Sequence, residues 1–351
     1  MVFPYRFKTF SNSVQPMPEC YTNYTMNEIE NADSFAGLDI QWQQLLQTAA
    51  SNHVFFTPQW QSAWWQVFGN GYELVLLSMY DYRELVGIAP FKRKDGKLSF
   101  IGSSDVCDYM DFVSKDRGED YFFSRLLDYL DKLEWRSLEL DSILPQSLAV
   151  KYFIPLARKR GYQVEIKQTN VSPQLLLPAD WEEYLAILST KDRHELRRKL
   201  RRLEQAQSVN YLTVTDREYL PQATDSFFKL FKLSSADKAN FMTDNKREFF
   251  NTMVAALAEK GNIKLSFLEI EGVRVSAVIC FDYNNDIYLY NSAYDPAYFS
   301  LSVSLLLEVF CIRDAIAKRK IRFDFLSGNE RYKYDLGGKD VPIYQCLISR
   351  S

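Results

Sequence analysis

Histidine is scarce in this chain: His53 and His194 are its only two among 351 residues. A metal site built on imidazole is therefore not expected. The five cysteines, Cys20, Cys107, Cys280, Cys311 and Cys346, are odd in number and far apart, with no CxxC pair. That excludes a disulfide scaffold. Cys280, Cys311 and Cys346 sit in apolar runs and read as buried thiols of a reducing compartment. No apolar run approaches the ~20 residues needed to cross a bilayer. The opening stretch MVFPYRFKTFSNSVQPMPEC lacks the apolar centre of a signal peptide, so a cytoplasmic location is expected. Charge of one sign is also missing: the formal net charge is −3. No broad field favours nucleic acid.

What remains is an ordinary globular composition, 47% hydrophobic and 25% charged, with a high aromatic share of 15%. The length suits two domains. Residues 1–35 carry Pro4, Pro16 and Pro18 among Asn and Ser, and read as an irregular arm. Thr57-Pro58 predicts a capped helix start, followed by Trp60, Trp64, Trp65 and Phe68 at helical spacing. Strands are expected at 74–79, 85–90 and 98–101, joined by Tyr82-Arg83-Glu84 and Lys94-Asp95-Gly96 turns. A strand near 110–113, a helix at 120–133, a strand at 137–140, a helix at 146–159 and a strand at 162–166 complete residues 36–170. Val171-Ser172-Pro173 reads as the break that opens residues 171–351. That half gives a strand at 174–177, helices at 180–188 and 189–204, two longer helices, and a meander with hairpin signals at Glu271-Gly272 and Asn284-Asn285.

The stretch from Asp286 to Gly338 carries the most information. Ile287 to Asn291 is a short strand, and Tyr294-Asp295-Pro296 is a turn. Leu305 to Ala317 is apolar on nearly every face, as in a helix packed on most sides. Ser300, Ser302 and Ser304 stand at its start. They either cap the helix or, with the free N–H groups and the dipole, form an anion site. Ile321 to Leu326 is a second strand containing Asp324, and a polar loop follows. A carboxylate on a buried strand needs a partner: Arg322, Lys333 or a backbone amide on one reading, an acceptor in a cleft on the other. Two further clusters stand out. GSSDVCDYMDFV contains Asp105, Asp108, Tyr109 and Asp111, either turn formers or hydrogen-bonding partners of a sugar or amine. STKDRHELRRKLRRLE is a helix with a Leu196, Leu200, Leu203 stripe and a dense basic face including His194, Arg197, Arg198, Arg201 and Arg202. Such a face is either solvated or binds phosphate.

YNSAYDP, IRFDFLSGNERYKY and the serine-led helix between them resemble the C-terminal half of GNAT-superfamily acetyltransferases of the cellulose-biosynthesis (CelD/BcsL) type. FFTPQWQSAWWQVFG matches that family's opening pattern. The family is related to FemAB-type transferases, which use two GNAT-like halves. The resemblance implies an α/β (α+β) fold of two tandem GNAT-like domains with mixed, mostly antiparallel sheets, the first half degenerate. It implies transfer of acetyl, or another acyl group, from acyl-CoA to a saccharide or amine acceptor in polysaccharide or cell-envelope synthesis, without a metal. Asp324, Lys333, Tyr332 and Glu330 are then the expected catalytic residues. Ser300, Ser302, Ser304 and Asn291 are expected at the coenzyme. Asp108, Tyr109, Asp111, Arg197, Arg201 and Tyr334 are expected at the acceptor. Two departures stand against this pattern: Ser302-Val303-Ser304 replaces a common Ser-Pro-Gly, and Leu336 replaces a common Trp. The alternatives are aminoacyl transfer from charged tRNA, as in FemAB relatives, or a binding module without catalysis.

Overall fold

The computed structural model describes residues 29–116, 118–206 and 208–350. Residues 1–28 of the expected arm, Cys20 among them, lie outside the described residues. The arm's remaining part is not irregular: Ile29–Ala32 forms strand β1 and pairs with β2 (Glu73–Asp81).

Between them lie helices α1 (Asp39–Thr48) and α2 (Pro58–Phe68). Thr57 caps α2 by accepting the Trp60 N–H, with Pro58 in the first turn, as its sequence predicts. Trp60 and Trp64 bury their rings in the core. The expected meander is present as β2, β3 (Glu84–Lys94) and β4 (Lys97–Phe100), followed by the short β5 (Val113–Ser114). Then come α3 (Glu119–Lys132), β6 (Ser137–Ile143), and a π-helical turn at Ala149–Phe153 that runs into α4 (Ile154–Lys159).

Strand β7 (Gln163–Leu176) passes straight through the break expected at 171. Proline lacks a ladder N–H, but its fixed φ is compatible with extended backbone, so Pro173 does not end the strand. Beyond it lie α5 (Trp181–Ile187), α6 (Thr190–Glu204), β8 (Val209–Val214), α7 (Leu220–Ser234), α8 (Ala236–Phe241) and α9 (Asp244–Ala258). Neither β8 nor α8 is legible in the sequence. The second meander is β9 (Ile263–Ile270), β10 (Val273–Tyr283) and β11 (Asp286–Tyr294). Both of its hairpins turn at the predicted pairs, with φ of 50° and 78° at Glu271-Gly272 and 51° and 63° at Asn284-Asn285. A 3-10 turn at Pro296–Leu301 leads into α10 (Val303–Ala317), then β12 (Arg322–Asp324), α11 (Arg331–Asp335) and β13 (Lys339–Ser349).

All strands join one mixed sheet, in the order β1-β2-β3-β4-β6-β13-β7-β12-β11-β10-β9-β8, with β5 on β3. Among the described residues, only β4 with β6 and β11 with β12 run parallel. The last strand of the chain, β13, inserts between β6 and β7 and so ties the two halves through continuous backbone pairing. One apolar core joins α1 to α4 with the inner faces of the sheet and α7 and α9. A second lies under α5, α6 and α10. Cys107, Cys280, Cys311 and Cys346 are all free and buried, as expected of the last three.

Candidate functional site

Strands β11 and β12 pair over three residues only, from Asp286 with Arg322 to Tyr288 with Asp324. Past that point β12 ends and β11 continues to Tyr294, held by β10 on its other edge. The β10–β11 register shifts at Ile279 and Cys280, so Tyr290 is the extra residue of a bulge. A slot therefore opens beside the second half of β11, at whose end α10 begins.

The chain enters α10 through a strained residue. Ser302 has φ 55° and ψ 38°, the left-handed conformation that favours glycine, and its side chain makes no capping bond. This is the position where the resemblance leads one to expect a glycine nearby. The serine adopts the glycine-like backbone without the glycine, at a cost of roughly 1 kcal/mol. Ser302→Gly should therefore raise the unfolding free energy by about 1 kcal/mol in urea titrations, less the entropy cost of glycine in the unfolded chain. An unchanged or lower value would show that the local backbone is not strained.

A cavity of about 550 Å³ lies over this helix start. Ser300, Ser302 and Ser304 line it, with Ser292 and Tyr294 of β11 and Tyr332 of α11. Its opposite wall is α6, which presents Glu195, Arg198, Lys199 and Arg202. These stand at i, i+3, i+4 and i+7, one face of a helix. Arg198 is bidentate to Glu195, at 2.8 and 2.7 Å. Arg202 donates 2.8 Å to the Ser300 carbonyl and so fixes the turn before α10. Lys238 of α8 donates to the Ser292 carbonyl at the inner side. The site thus combines free helix N–H groups, a dipole end and several cations, the physical recipe for phosphate.

The expected acceptor arginines do not reach it. Arg197 is exposed and lies 3.8 Å from Glu182, and Arg201 turns back to the Arg197 carbonyl at 3.4 Å. His194 is exposed as well. The face of α6 toward the cavity is instead the Glu195, Arg198, Lys199 and Arg202 set. Asn291, expected at the coenzyme, is half-buried beside the bulge and does not line the cavity. Lys238 and Glu308 also line the cavity, and the sequence gives no sign of either position.

The remaining predicted residues lie apart from the cavity, and Asp324 and Tyr109 among them share a buried network with Ser172 and Gln174 of β7. Asp324 is completely buried. It accepts from Tyr109 Oη at 2.8 and 3.0 Å, Ser172 Oγ at 3.0 Å, Gln174 Nε2 at 3.0 Å and the Leu326 N–H at 2.9 Å. This replaces the cleft-facing position expected of it: with both oxygens engaged in the core, no face is left toward the cavity. Of the three partners anticipated from sequence, neither Arg322 nor Lys333 hydrogen-bonds it, and a backbone amide, that of Leu326, does. Burial pushes its pKa up to about 6, against the pull of the Leu326, Tyr109 and Ser172 bonds.

Lys333 is also buried, and donates to the carbonyls of Leu326, Ser327 and Gly328 at 3.1, 2.8 and 3.2 Å. Leu326 between these two residues has φ 59°. A leucine in that region is held there only by its surroundings. Glu330 is exposed and pairs with Lys333 at 3.0 Å. Asp108 accepts the Ser327 N–H at 2.9 Å. Asp111 accepts the Leu148 and Ala149 N–H groups at 2.7 and 2.9 Å, so it caps the π-helical turn instead of facing an acceptor. Burial pushes its pKa up to about 7. Tyr109 is buried on Asp324, and Tyr334 lies beside Asp340. Of the four expected catalytic residues, only Tyr332 lines the cavity. Among the described residues no group of His, Cys, Asp and Glu is arranged to hold a metal.

Residues 190–334, which contain α6, α10 and α11, match a family model described as an acetyltransferase (GNAT) domain. No curated protein matches the chain. Among solved structures, that of FemX superimposes with a TM-score of 0.63 at 11% identity, over 91% of this chain and 96% of that one. The C-terminal domain of a putative lysylphosphatidylglycerol synthetase from Agrobacterium fabrum gives 0.56 at 9% identity, over 90% and 92%. A tandem GNAT protein from the clavulanic acid biosynthesis pathway gives 0.50 at 10% identity, over 93% and 99%. The fold is GNAT-like. At such identities the likeness is one of fold, and the chemistry must be argued from the site.

Proposed function

We propose that the protein is an acyltransferase that takes an acyl group, acetyl in the first instance, from acyl-CoA. The observation that supports this most is the cavity itself. The α10 N-terminus, the cationic face of α6 and the slot beside β11 converge there, and the matched domain spans all three. The pyrophosphate belongs at Ser300 to Ser304, facing Arg198, Lys199 and Arg202. The pantetheine arm belongs in the slot, where the free edge of β11 offers backbone partners to its amides. Tyr332 faces the same cavity. Burial, and then the carboxyls of Glu308 and Glu330, hold its phenol well above the usual range. It therefore keeps its proton and can hydrogen-bond a departing thiolate. Asp324 and Lys333 serve by fixing the loop that carries α11.

Residues 36–170 and 171–351 are two GNAT-like units in this reading, meeting within β7, and only the second holds the donor. The resemblance to cellulose-biosynthesis acetyltransferases points to a sugar hydroxyl or amine of a cell-envelope polysaccharide as acceptor. A coenzyme A donor places the reaction in the cytoplasm. Aminoacyl transfer from tRNA is the second reading. The basic face of α6 and the likeness to FemX favour it; the net charge of −3 opposes the broad phosphate contacts it needs.

Calorimetry with acetyl-CoA tests the donor site. Arg198→Ala and Arg202→Ala should each weaken binding about tenfold, the size of a charge-assisted bond to phosphate. Ser304→Glu should abolish it by repulsion, with melting unchanged. Wild-type affinity in all three would remove the pyrophosphate from this helix.

A further inference from the structure

Glu308 is poorly explained by the fold. It lies on α10 one turn after Ser304, is 2% exposed, and lines the cavity. Its Oε2 is covered and has no hydrogen-bond partner among the described residues. Lys238, on the same lining, spends its ammonium on the Ser292 carbonyl and makes no ion pair with Glu308 among those residues. Burial first, then Cys311, hold the Glu308 carboxyl well above the usual range, against the pull of Lys238 and Lys333. Burial therefore favours its neutral form, on a helix whose other charged residues, Arg313 and Asp314, stand near the far end. A buried polar atom without a partner weakens the folded state, and an aliphatic side chain here would not.

We propose that Glu308 is the residue that reads the donor's carrier arm, pairing with an amide or hydroxyl of phosphopantetheine. This rests on the acyl-CoA reading above and deepens it. The distance supports it: four residues along a helix advance ~6 Å, so Glu308 stands about one turn inside the anion site at the α10 N-terminus. In phosphopantetheine the hydroxyl and the first amide follow the phosphate by a few bonds, which is that range. The adenosine end lies on the other side of the pyrophosphate and cannot reach it. A neutral carboxyl carries an O–H donor and a carbonyl acceptor together, so it can pair with either side of an amide. Glutamine offers the same two functions in the same shape.

The test is calorimetry and thermal melting of the full chain as wild type, Glu308→Leu and Glu308→Gln. The probes are coenzyme A, 4′-phosphopantetheine and adenosine 3′,5′-bisphosphate. Glu308→Leu should weaken the first two ligands about tenfold, leave the third unchanged, and raise the melting temperature. Glu308→Gln should stay near wild type for all three. Wild-type affinity of Glu308→Leu for coenzyme A overturns the proposal. So does a lowered melting temperature with equal loss of all three ligands, which marks a structural residue. Failure of the wild type to bind any of the probes overturns the donor site itself, a different and recognisable outcome.

Discussion

Replacing Asp324 by alanine is expected to lower the unfolding free energy by about 3–5 kcal/mol, the range for removing one partner of a buried charged cluster. Four groups lose their acceptor at once: Tyr109 Oη, Ser172 Oγ, Gln174 Nε2 and the Leu326 N–H. Tyr109 comes from the first half of the chain, Ser172 and Gln174 from β7, and Leu326 from the loop after β12. The carboxylate therefore adds a side-chain tie between three segments that backbone pairing of β7 with β12 and the Asp108 bond to Ser327 also bring together. It also restrains the left-handed Leu326, whose carbonyl Lys333 holds from the other side. Urea denaturation at pH 7 measures the loss. The catalytic role expected from sequence makes the opposite forecast: lost turnover in a protein that unfolds like wild type. Asp324→Asn refines the comparison, since an amide keeps one acceptor and shape but cannot accept from all four donors. A stable, inactive Asp324→Ala variant would return Asp324 to the reaction.

The contrast between Asp324 and Ser304 shows where sequence reading holds. Local signals were legible. Thr57-Pro58 capped its helix, and Asn284-Asn285 turned its hairpin with both φ angles positive. The all-round apolar α10 was packed on most sides, and its serine-led start lay at a cavity. Each of these depends on residues within a turn or two of one another. What the sequence does not show depends on distant partners. Asp324 meets Tyr109 across 215 positions and Ser172 across 152, and no local pattern encodes either contact. The insertion of β13 between β6 and β7 is of the same kind. So is the choice of face on α6. Its spacing offered an Arg197, Arg201 face and an Arg198, Lys199, Arg202 face with equal local merit. Only the position of the α10 N-terminus decides between them, through the Arg202 bond to Ser300. Glu308 is not readable as a pocket residue, because burial without a partner is a property of the assembled core.

His53 should make the protein acid-sensitive by about 3 kcal/mol between pH 7 and pH 4. Its ring is buried, 5.3 Å from Phe56, 5.2 Å from Tyr109 and 6.0 Å from Tyr288 by centroid, and its Nδ1 lies 3.0 Å from Tyr288 Oη. Burial, with a smaller push from Arg322, lowers its pKa from 6.5 to about 3. In the unfolded chain the imidazole takes up a proton below 6.5; in the folded protein it does not until about 3. The unfolded state binds more protons throughout that window, so stability is complete above it and falls as the pH drops. Two and a half pH units at ~1.4 kcal/mol each give the expected size. Asp111 and Asp324 act in the reverse direction, since their raised folded pKa values of about 7 and about 6 favour the folded state on acidification. A direct pH profile of the wild type therefore mixes both signs. The comparison with His53→Gln separates them, because the carboxyl contributions are common to both proteins. Denaturant titrations at pH 7 and pH 4 should show the wild type losing about 3 kcal/mol more than the variant over that interval. Equal losses would mean that His53 gains its proton as freely in the folded core as in the unfolded chain, and that the aromatic cage around it opens to admit the charge.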